Sequence, residues 1–157
     1  MEVTIYTDGA ATGNPGPGGF GTVLLAGKFK KELSGGFRKT TNNRMELLAV
    51  IEGISAMKKP GMNITVYSDS KYVVDSVEKG WVFGWVKKGF KGKKNADLWR
   101  RFLEVYANHT VKFVWVKGHA GNHYNEICDQ LAVAAAHESN LPPDVGYEAS
   151  LKEEGLF

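Results

Sequence analysis

The chain has 157 residues, enough for one domain with a buried core, and its 43% apolar and 24% charged residues are the balance of an ordinary soluble globular protein. No apolar run is long enough to cross a bilayer, and a single cysteine, Cys128, excludes an internal disulfide and suits a reducing compartment. The net charge of +3 is uneven: between Lys79 and Arg101 eight Lys or Arg face one acid, Asp97, so that segment carries +7 and the rest −4.

A localised basic patch on an otherwise acidic chain calls for a polyanionic partner, most simply nucleic acid; a solvated charged face would normally mix its signs. The opening residues show no basic and apolar leader, so a cytoplasmic location is expected.

Val3–Asp8 reads as a strand, with Gly19–Ala26 and roughly 29–39 as two more, joined by short glycine connections that favour antiparallel hairpins. Asn42 and Asn43 are candidates to cap a helix running to about Lys58. Its apolar stripe is Leu47, Leu48, Val50, Ile51 and Ile54, and Pro60-Gly61 stops it. Ile64–Ser68 is a fourth strand, Ser70 opens a helix carrying Val73, Val74 and Val77, and Gly80 breaks it. A short segment from Trp81 to Lys87 leads into the Lys/Gly-rich run 88–94, expected to be a mobile, solvated loop.

Asn95 can cap a helix with Leu98, Phe102 and Val105 on one face. Thr110–Val116 is a fifth strand, and Asn122 to about Glu138 a last helix with Ile127, Leu131 and Ala135 inward. Residues 139–157, with Pro142-Pro143 and mainly acidic charge, are expected to form a loosely held tail after one domain over 1–138. Strands first, then alternating helices and strands, predict an α/β fold of the mixed α+β kind, a mixed sheet covered by helices.

The most informative feature is a repeat. Val3-Thr-Ile-Tyr-Thr-Asp8 returns as Ile64-Thr-Val-Tyr-Ser-Asp69, each a β-branched strand ending in aspartate. Parallel and in register, the two strands would lie roughly 4.8 Å apart and set two carboxylates side by side at the carboxyl edge of the sheet. Such a pair repels unless a proton or cation lies between, and oxygen-only ligands suit a hard ion such as Mg²⁺. Either aspartate alone could be a turn or cap residue; the matched pair favours a metal-dependent enzyme.

Other candidates are weaker alone. Glu46 stands three residues after Asn43, where a capping box would also place it, and Asp129 lies off the apolar stripe of the last helix, where an aspartate is ordinarily just solvated. Gly13–Gly21 contains G-x-G-x-x-G, but Phe20-Gly-Thr-Val-Leu-Leu after it reads as a strand and no Gly-Lys-Ser/Thr follows, which rejects both nucleotide motifs. A tight turn whose backbone approaches a ligand is the remaining reading.

His119, in Lys117-Gly-His-Ala-Gly121, can move a proton near neutral pH or be a plain surface histidine. His109, His123 and His137 show no partner spacing, and no zinc site is expected. Trp81, Trp85 and Phe90 alternate with Lys87, Lys88, Lys91, Lys93 and Lys94. Aromatics four apart commonly pack inward, yet in this basic setting Trp81 and Trp85 should divide between packing and ligand contact.

Taken together, Thr7-Asp-Gly, Gly13-Asn-Pro-Gly-Pro-Gly-Gly, Thr41-Asn-Asn-Arg-Met-Glu-Leu, Ser68-Asp-Ser, Trp115-Val-Lys-Gly-His-Ala-Gly and Asn125-Glu-Ile-Cys-Asp129, in uninterrupted order over roughly residues 2–138, resemble the bacterial type of type 1 ribonuclease H. The resemblance implies a five-stranded mixed sheet with the first and fourth strands adjacent and parallel. It implies that Asp8, Glu46, Asp69 and Asp129 bind two divalent ions, Mg²⁺ with Mn²⁺ able to substitute, and that His119 assists proton transfer or product departure. Asn14, Asn42 and Asn43 match positions that read the minor groove of an RNA–DNA hybrid, and Lys39 and Thr41 positions that hold a DNA-strand phosphate. The segment from Trp81 to Lys94, with Trp85, Lys87 and Lys88, resembles the basic protrusion that grips the DNA strand.

The implied activity is hydrolysis of the RNA strand of a hybrid, leaving 3′-hydroxyl and 5′-phosphate ends with little sequence preference, by a monomer without an obligate protein partner. Phe90 stands where relatives commonly have a third tryptophan, the loop 91–95 is short, and Lys71 replaces a frequent glutamine; these departures bear on affinity rather than chemistry. With no separate hybrid-binding domain expected ahead of the catalytic one, the protrusion should supply most of the grip. Two rivals are a DNA nuclease of the same fold, which the Asn14/Asn42/Asn43 set and the histidine loop oppose, and a non-catalytic hybrid-binding module, which would ordinarily have lost a carboxylate.

Overall fold

Eleven elements appear in a computed structural model that describes residues 1–118 and 122–154. They are β1 (Glu2–Ala11), β2 (Gly16–Ala26), β3 (Phe29–Thr40), α1 (Asn42–Ser55), β4 (Asn63–Ser68), α2 (Lys71–Glu78), α3 (Trp81–Lys87), α4 (Ala96–Tyr106), β5 (Thr110–Trp115), α5 (His123–Ala136) and α6 (Val145–Glu154). The strands form one sheet in the order β3-β2-β1-β4-β5. β1, β2 and β3 pair antiparallel, whereas β1 with β4 and β4 with β5 pair parallel. The expected mixed five-stranded sheet is therefore present.

Helices cover both faces, and side-chain size decides how closely. On one face α1 lies over β1 and β2: Thr22 Oγ1 donates to Ala49 O at 2.7 Å, and a Cβ on Gly53 would touch both Ile5 and Thr22 at 3.0 Å. The main core fills this side, with Ile5, Met45, Leu47, Ile51, Ile54, Trp99 and Phe102 fully buried. On the other face α5 sits almost against the backbone of β2. A Cβ on Gly19 would lie 2.5 Å from Ala132 O, and one on Gly21 would strike Cys128 O.

That contact revises two expectations. The glycine run from Gly16 onward is strand rather than turn, and its lack of side chains admits a helix. The inward residues of α5 are correspondingly Asn125, Cys128, Ala132, Ala135 and Ala136, while Ile127 and Leu131 are half-buried at its flanks. Small residues win the contact because the two backbones meet too closely for branched ones.

Further differences are local. The cap of α1 is Thr41, extended at φ −127 and accepting from Arg44 N at 3.3 Å, so Asn42 and Asn43 fall in the exposed first turn. Glu46 is thus two residues past the capping-box position, and α1 ends at Ser55 rather than Lys58. The run 88–94 is less loose than expected: Phe90 is buried, its N donates to Trp85 O at 2.8 Å, and Arg100 lies 4.7 Å over its ring. The lysines around it remain exposed. Residues beyond 138, expected as a loose tail, carry α6, and Asp144 ahead of it is buried. An acid there is held because Arg44, itself buried, donates from Nε to Asp144 Oδ2 at 2.8 Å.

Candidate active site

β1 and β4 run parallel with Tyr6 opposite Tyr67, their rings stacked at 5.0 Å, so two residues further on Asp8 stands opposite Asp69. α1 brings the third acid. A Cβ on Gly9 would lie 2.5 Å from Glu46 N, so the glycine next to Asp8 lets the first turns of α1 settle on the strand end. One carboxylate oxygen from each of Asp8, Glu46 and Asp69 falls within a mutual 4.8 Å. Asp129 lies one residue after Cys128, whose carbonyl meets Gly21, and Gly21 pairs with Asp8. The Asp129 charge is close enough to raise the Asp8 carboxyl.

Bringing acids together in a half-buried place makes ionisation difficult. Burial, then the Asp69 charge, push the Asp8 carboxyl up to about 7, against the lowering effect of hydrogen bonds to Glu46 and from Gly9 N, the latter at 2.9 Å. Burial, followed by the Asp8 and Asp69 charges, holds Glu46 well above the usual carboxylate range. Among the described residues, buried Glu46 Oε1 has no hydrogen-bond partner, so it remains free to accept from a donor or to meet a positive charge. Clustered oxygen-only ligands, repelling charges and an orphaned oxygen all fit a hard divalent cation.

The other predicted residues have the following settings. Asn14 Oδ1 accepts from Asn42 N at 3.0 Å, which joins the β1–β2 loop to the start of α1, with Asn14, Asn42 and Asn43 all exposed. Lys39 is exposed on β3, and Thr41 is the cap just described. On α3, Trp81 is 47% exposed with Lys79 Nζ 5.5 Å over its ring, whereas Trp85 packs edge-on against Trp99 with Lys93 Nζ 5.1 Å above it. Trp81 is thus the more exposed of the two tryptophans and Trp85 the better packed. Lys87 and Lys88 are exposed beside them. His119 lies outside the described residues.

Some contributors escaped the sequence reading. Trp115 Nε1 donates to Asp69 O at 3.1 Å and so steadies that strand end. Buried Arg44 and Asp144, with the exposed Asp97 on the outer side, form a charge cluster under the first turn of α1. The available signal was an arginine inside the Thr-Asn-Asn-Arg-Met-Glu run, which a solvated helix start does not require.

The RNase H family model matches residues 1–137. The chain belongs to the ribonuclease H family. Among curated ribonuclease H proteins, that of Desulforamulus reducens is 56% identical over 149 residues, covering 92% of this chain and 93% of its own. That of Trichodesmium erythraeum is 51% identical over 152 residues, covering 94% and 96%. Among solved structures, LC9-RNase H1, a type 1 ribonuclease H, superposes with a TM-score of 0.76 at 34% identity over 86% of this chain and 72% of its own. LC11-RNase H1, solved in complex with an RNA/DNA hybrid, does so with 0.63 at 26% identity over 85% and 96%. Ribonucleases H are metal-dependent nucleases, and Asp8, Glu46 and Asp69 lie close enough together that they could hold a metal ion.

Proposed function

We infer that this ribonuclease H hydrolyses the RNA strand of RNA–DNA hybrids, leaving 3′-hydroxyl and 5′-phosphate ends, and that Asp8, Glu46, Asp69 and Asp129 are its metal-binding carboxylates. The convergence of Asp8, Glu46 and Asp69 within 4.8 Å carries this reading. Family membership and the hybrid bound by the neighbour LC11-RNase H1 support the substrate.

The four carboxylates would hold two divalent ions, Mg²⁺ or Mn²⁺, which when bound activate a water and stabilise the departing 3′-oxygen. The chain's own residues do the rest. Burial and the neighbouring carboxylate charges oppose ionisation of Asp8 and Glu46, and bound cations would offset that cost and hold both as carboxylates. Asn14, Asn42 and Asn43 present donors and acceptors to the shallow minor groove, where the 2′-hydroxyl distinguishes RNA from DNA without regard to base sequence. Lys39 and Thr41 hold a phosphate of the DNA strand. Trp81, Trp85, Lys87 and Lys88 grip that strand with ring faces and charge, and His119 assists proton transfer or product departure.

No helix among the described residues is long and apolar enough to cross a membrane. A cytoplasmic monomer working without a protein partner is the arrangement we propose. The test is incubation with Mg²⁺ and end-labelled RNA–DNA hybrid, double-stranded RNA and double-stranded DNA. Shortening of the RNA strand of the hybrid alone is expected; cleavage of duplex DNA would transfer the assignment to a DNA nuclease of the same fold.

A further inference from the structure

Residues beyond 137, outside the stretch matched by the family model, are tied at several points to the chain that carries the proposed substrate contacts. Arg38 N donates to Pro142 O at 2.9 Å, and its guanidinium grips Glu148 with Nε–Oε2 at 2.8 Å and Nη2–Oε1 at 2.7 Å. Two residues on, Thr40 Oγ1 donates to Asp144 Oδ2 at 2.7 Å. Beyond the cap, Arg44 donates to Asp144 through Nε at 2.8 Å and Nη2 at 3.0 Å, and to Asp97 through Nη1 at 2.9 Å and Nη2 at 2.7 Å. Residues 38, 40 and 44 are therefore held from the C-terminal side, and the residues between them, Lys39, Thr41, Asn42 and Asn43, are those assigned to substrate.

Strand alternation makes the arrangement directional. With Arg38 and Thr40 turned toward the C-terminal segment, Lys39 must face the other way, into solvent. The Asp144 carboxylate serves three elements at once, accepting from Thr40 at the end of β3, from Arg44 in α1 and from Tyr147 N in α6 at 3.3 Å. Asp97 extends the same cluster to α4, which follows the basic segment, and Asn95 Oδ1 accepts from Arg44 Nη1 at 3.4 Å. Gly146 seals it: a Cβ there would strike Asp97 Oδ2 and lie 3.0 Å from Arg44 Nη2. A buried ion pair such as Arg44–Asp144 contributes little net stability compared with apolar packing of the same volume. What it does contribute is one allowed relative placement of the elements it joins.

We propose that Asp144 is a positioning residue for substrate: the segment Pro142–Glu148 sets the orientation of Lys39, Thr41, Asn42 and Asn43 and so tunes hybrid affinity, with no part in the chemical step. The proposal rests on the hybrid-cleaving reading above. It assigns a role in binding to a stretch that composition alone presents as a loose acidic end.

The test compares wild type with Asp144→Asn, Arg38→Ala and Gly146→Ala at a temperature where circular dichroism shows each one folded. Dissociation constants for an RNA–DNA hybrid are measured by fluorescence anisotropy in EDTA across a salt series, and steady-state cleavage in Mg²⁺. In Asp144→Asn and Gly146→Ala the dissociation constant should rise about tenfold, a displacement-scale effect, and the slope of log Kd against log salt should fall by about 1 as one phosphate contact is lost. KM should rise with it while kcat stays within about threefold. Adding Lys39→Ala to Asp144→Asn should cost less than the two losses combined, since both act through the same contact.

Lowered melting temperatures with unchanged affinity and salt slope, or strict additivity with Lys39→Ala, overturn the proposal and leave the cluster purely stabilising. Should Asp144→Asn not fold, Gly146→Ala and Arg38→Ala carry the same comparison. Failure of the wild type to bind hybrid at all is a separate result, which removes the functional reading and this inference with it.

Discussion

Gly21 lies so close to Cys128 that a side chain at residue 21 would collide with the Cys128 carbonyl oxygen. The next residue along that helix is Asp129, and the residue across the sheet from Gly21 is Asp8. A glycine thus sets the separation between two of the proposed metal ligands. Gly21→Ala must push α5 from the sheet, and overpacking of this kind costs about 1–3 kcal/mol. We expect a lower denaturation midpoint together with weaker divalent-ion binding by calorimetry. Unchanged ion affinity in the folded variant would separate Asp129 from the site.

Acid crowding predicts how the metal-free protein responds to pH. The Asp8 carboxyl, about 7 when folded, lies above its ordinary value of 3.8, so between those values the folded state binds more protons than the unfolded one. Stability then falls as pH rises through that window, the penalty being complete above about 7 and absent below about 4. Three units correspond to at most about 4 kcal/mol, shared with its coupled neighbours. Urea unfolding in EDTA should therefore show lower stability at pH 8 than at pH 5, with much of the difference removed in Asp8→Asn. Stability that climbs over this range would contradict the burial of an unrelieved charge.

Mg²⁺ should reverse that loss. At pH 8 a saturating divalent ion binds the folded cluster and not the dispersed acids of the unfolded chain, so the melting temperature should rise with ion concentration as linkage requires. At pH 5, where protons compete for Glu46 and Asp8, the rise should be smaller. An equal rise at both pH values would place the ion elsewhere.

Removing a ligand should separate binding from chemistry. Asp8→Asn and Asp69→Asn keep the side-chain shape and delete a charge, so hybrid affinity in EDTA should hold or improve while cleavage in Mg²⁺ drops by several orders of magnitude, on the order of 10³-fold or more. Substantial Mg²⁺-dependent turnover by either variant refutes the metal assignment.

For the basic segment, replacing Lys87, Lys88, Lys91 and Lys94 with alanine removes exposed charge without disturbing the buried Phe90. Affinity should weaken, and the salt dependence should flatten by up to about 3.6 in slope, less if some lysines miss a phosphate. A preserved slope means that the DNA strand is held elsewhere.

Much of the site was legible in the chain because the features that encode it are local. The repeated strand ending in Asp8 and Asp69 carries its own register through side-chain alternation, and Ser70 and Gly80 punctuate α2 as their chemistry dictates. Where the reading erred, the deciding contact came from far along the chain. Thr41 rather than Asn42 or Asn43 caps α1 because β3 ends at Thr40, itself held by Asp144 over a hundred residues away.

By itself, then, the order of residues determined the five strands, the helices α1, α2, α4 and α5, the pairing of two aspartates and the basic stretch, but neither α3 nor α6, since periodicity and turn chemistry act within a few positions. Only the folded molecule decided how near the helices could come. Gly9 and Gly21 admit α1 and α5 to within backbone contact of the sheet, and Asp144 reaches back to lock Arg44. Close approach depends on the sizes of side chains that meet only in three dimensions, which no local pattern records.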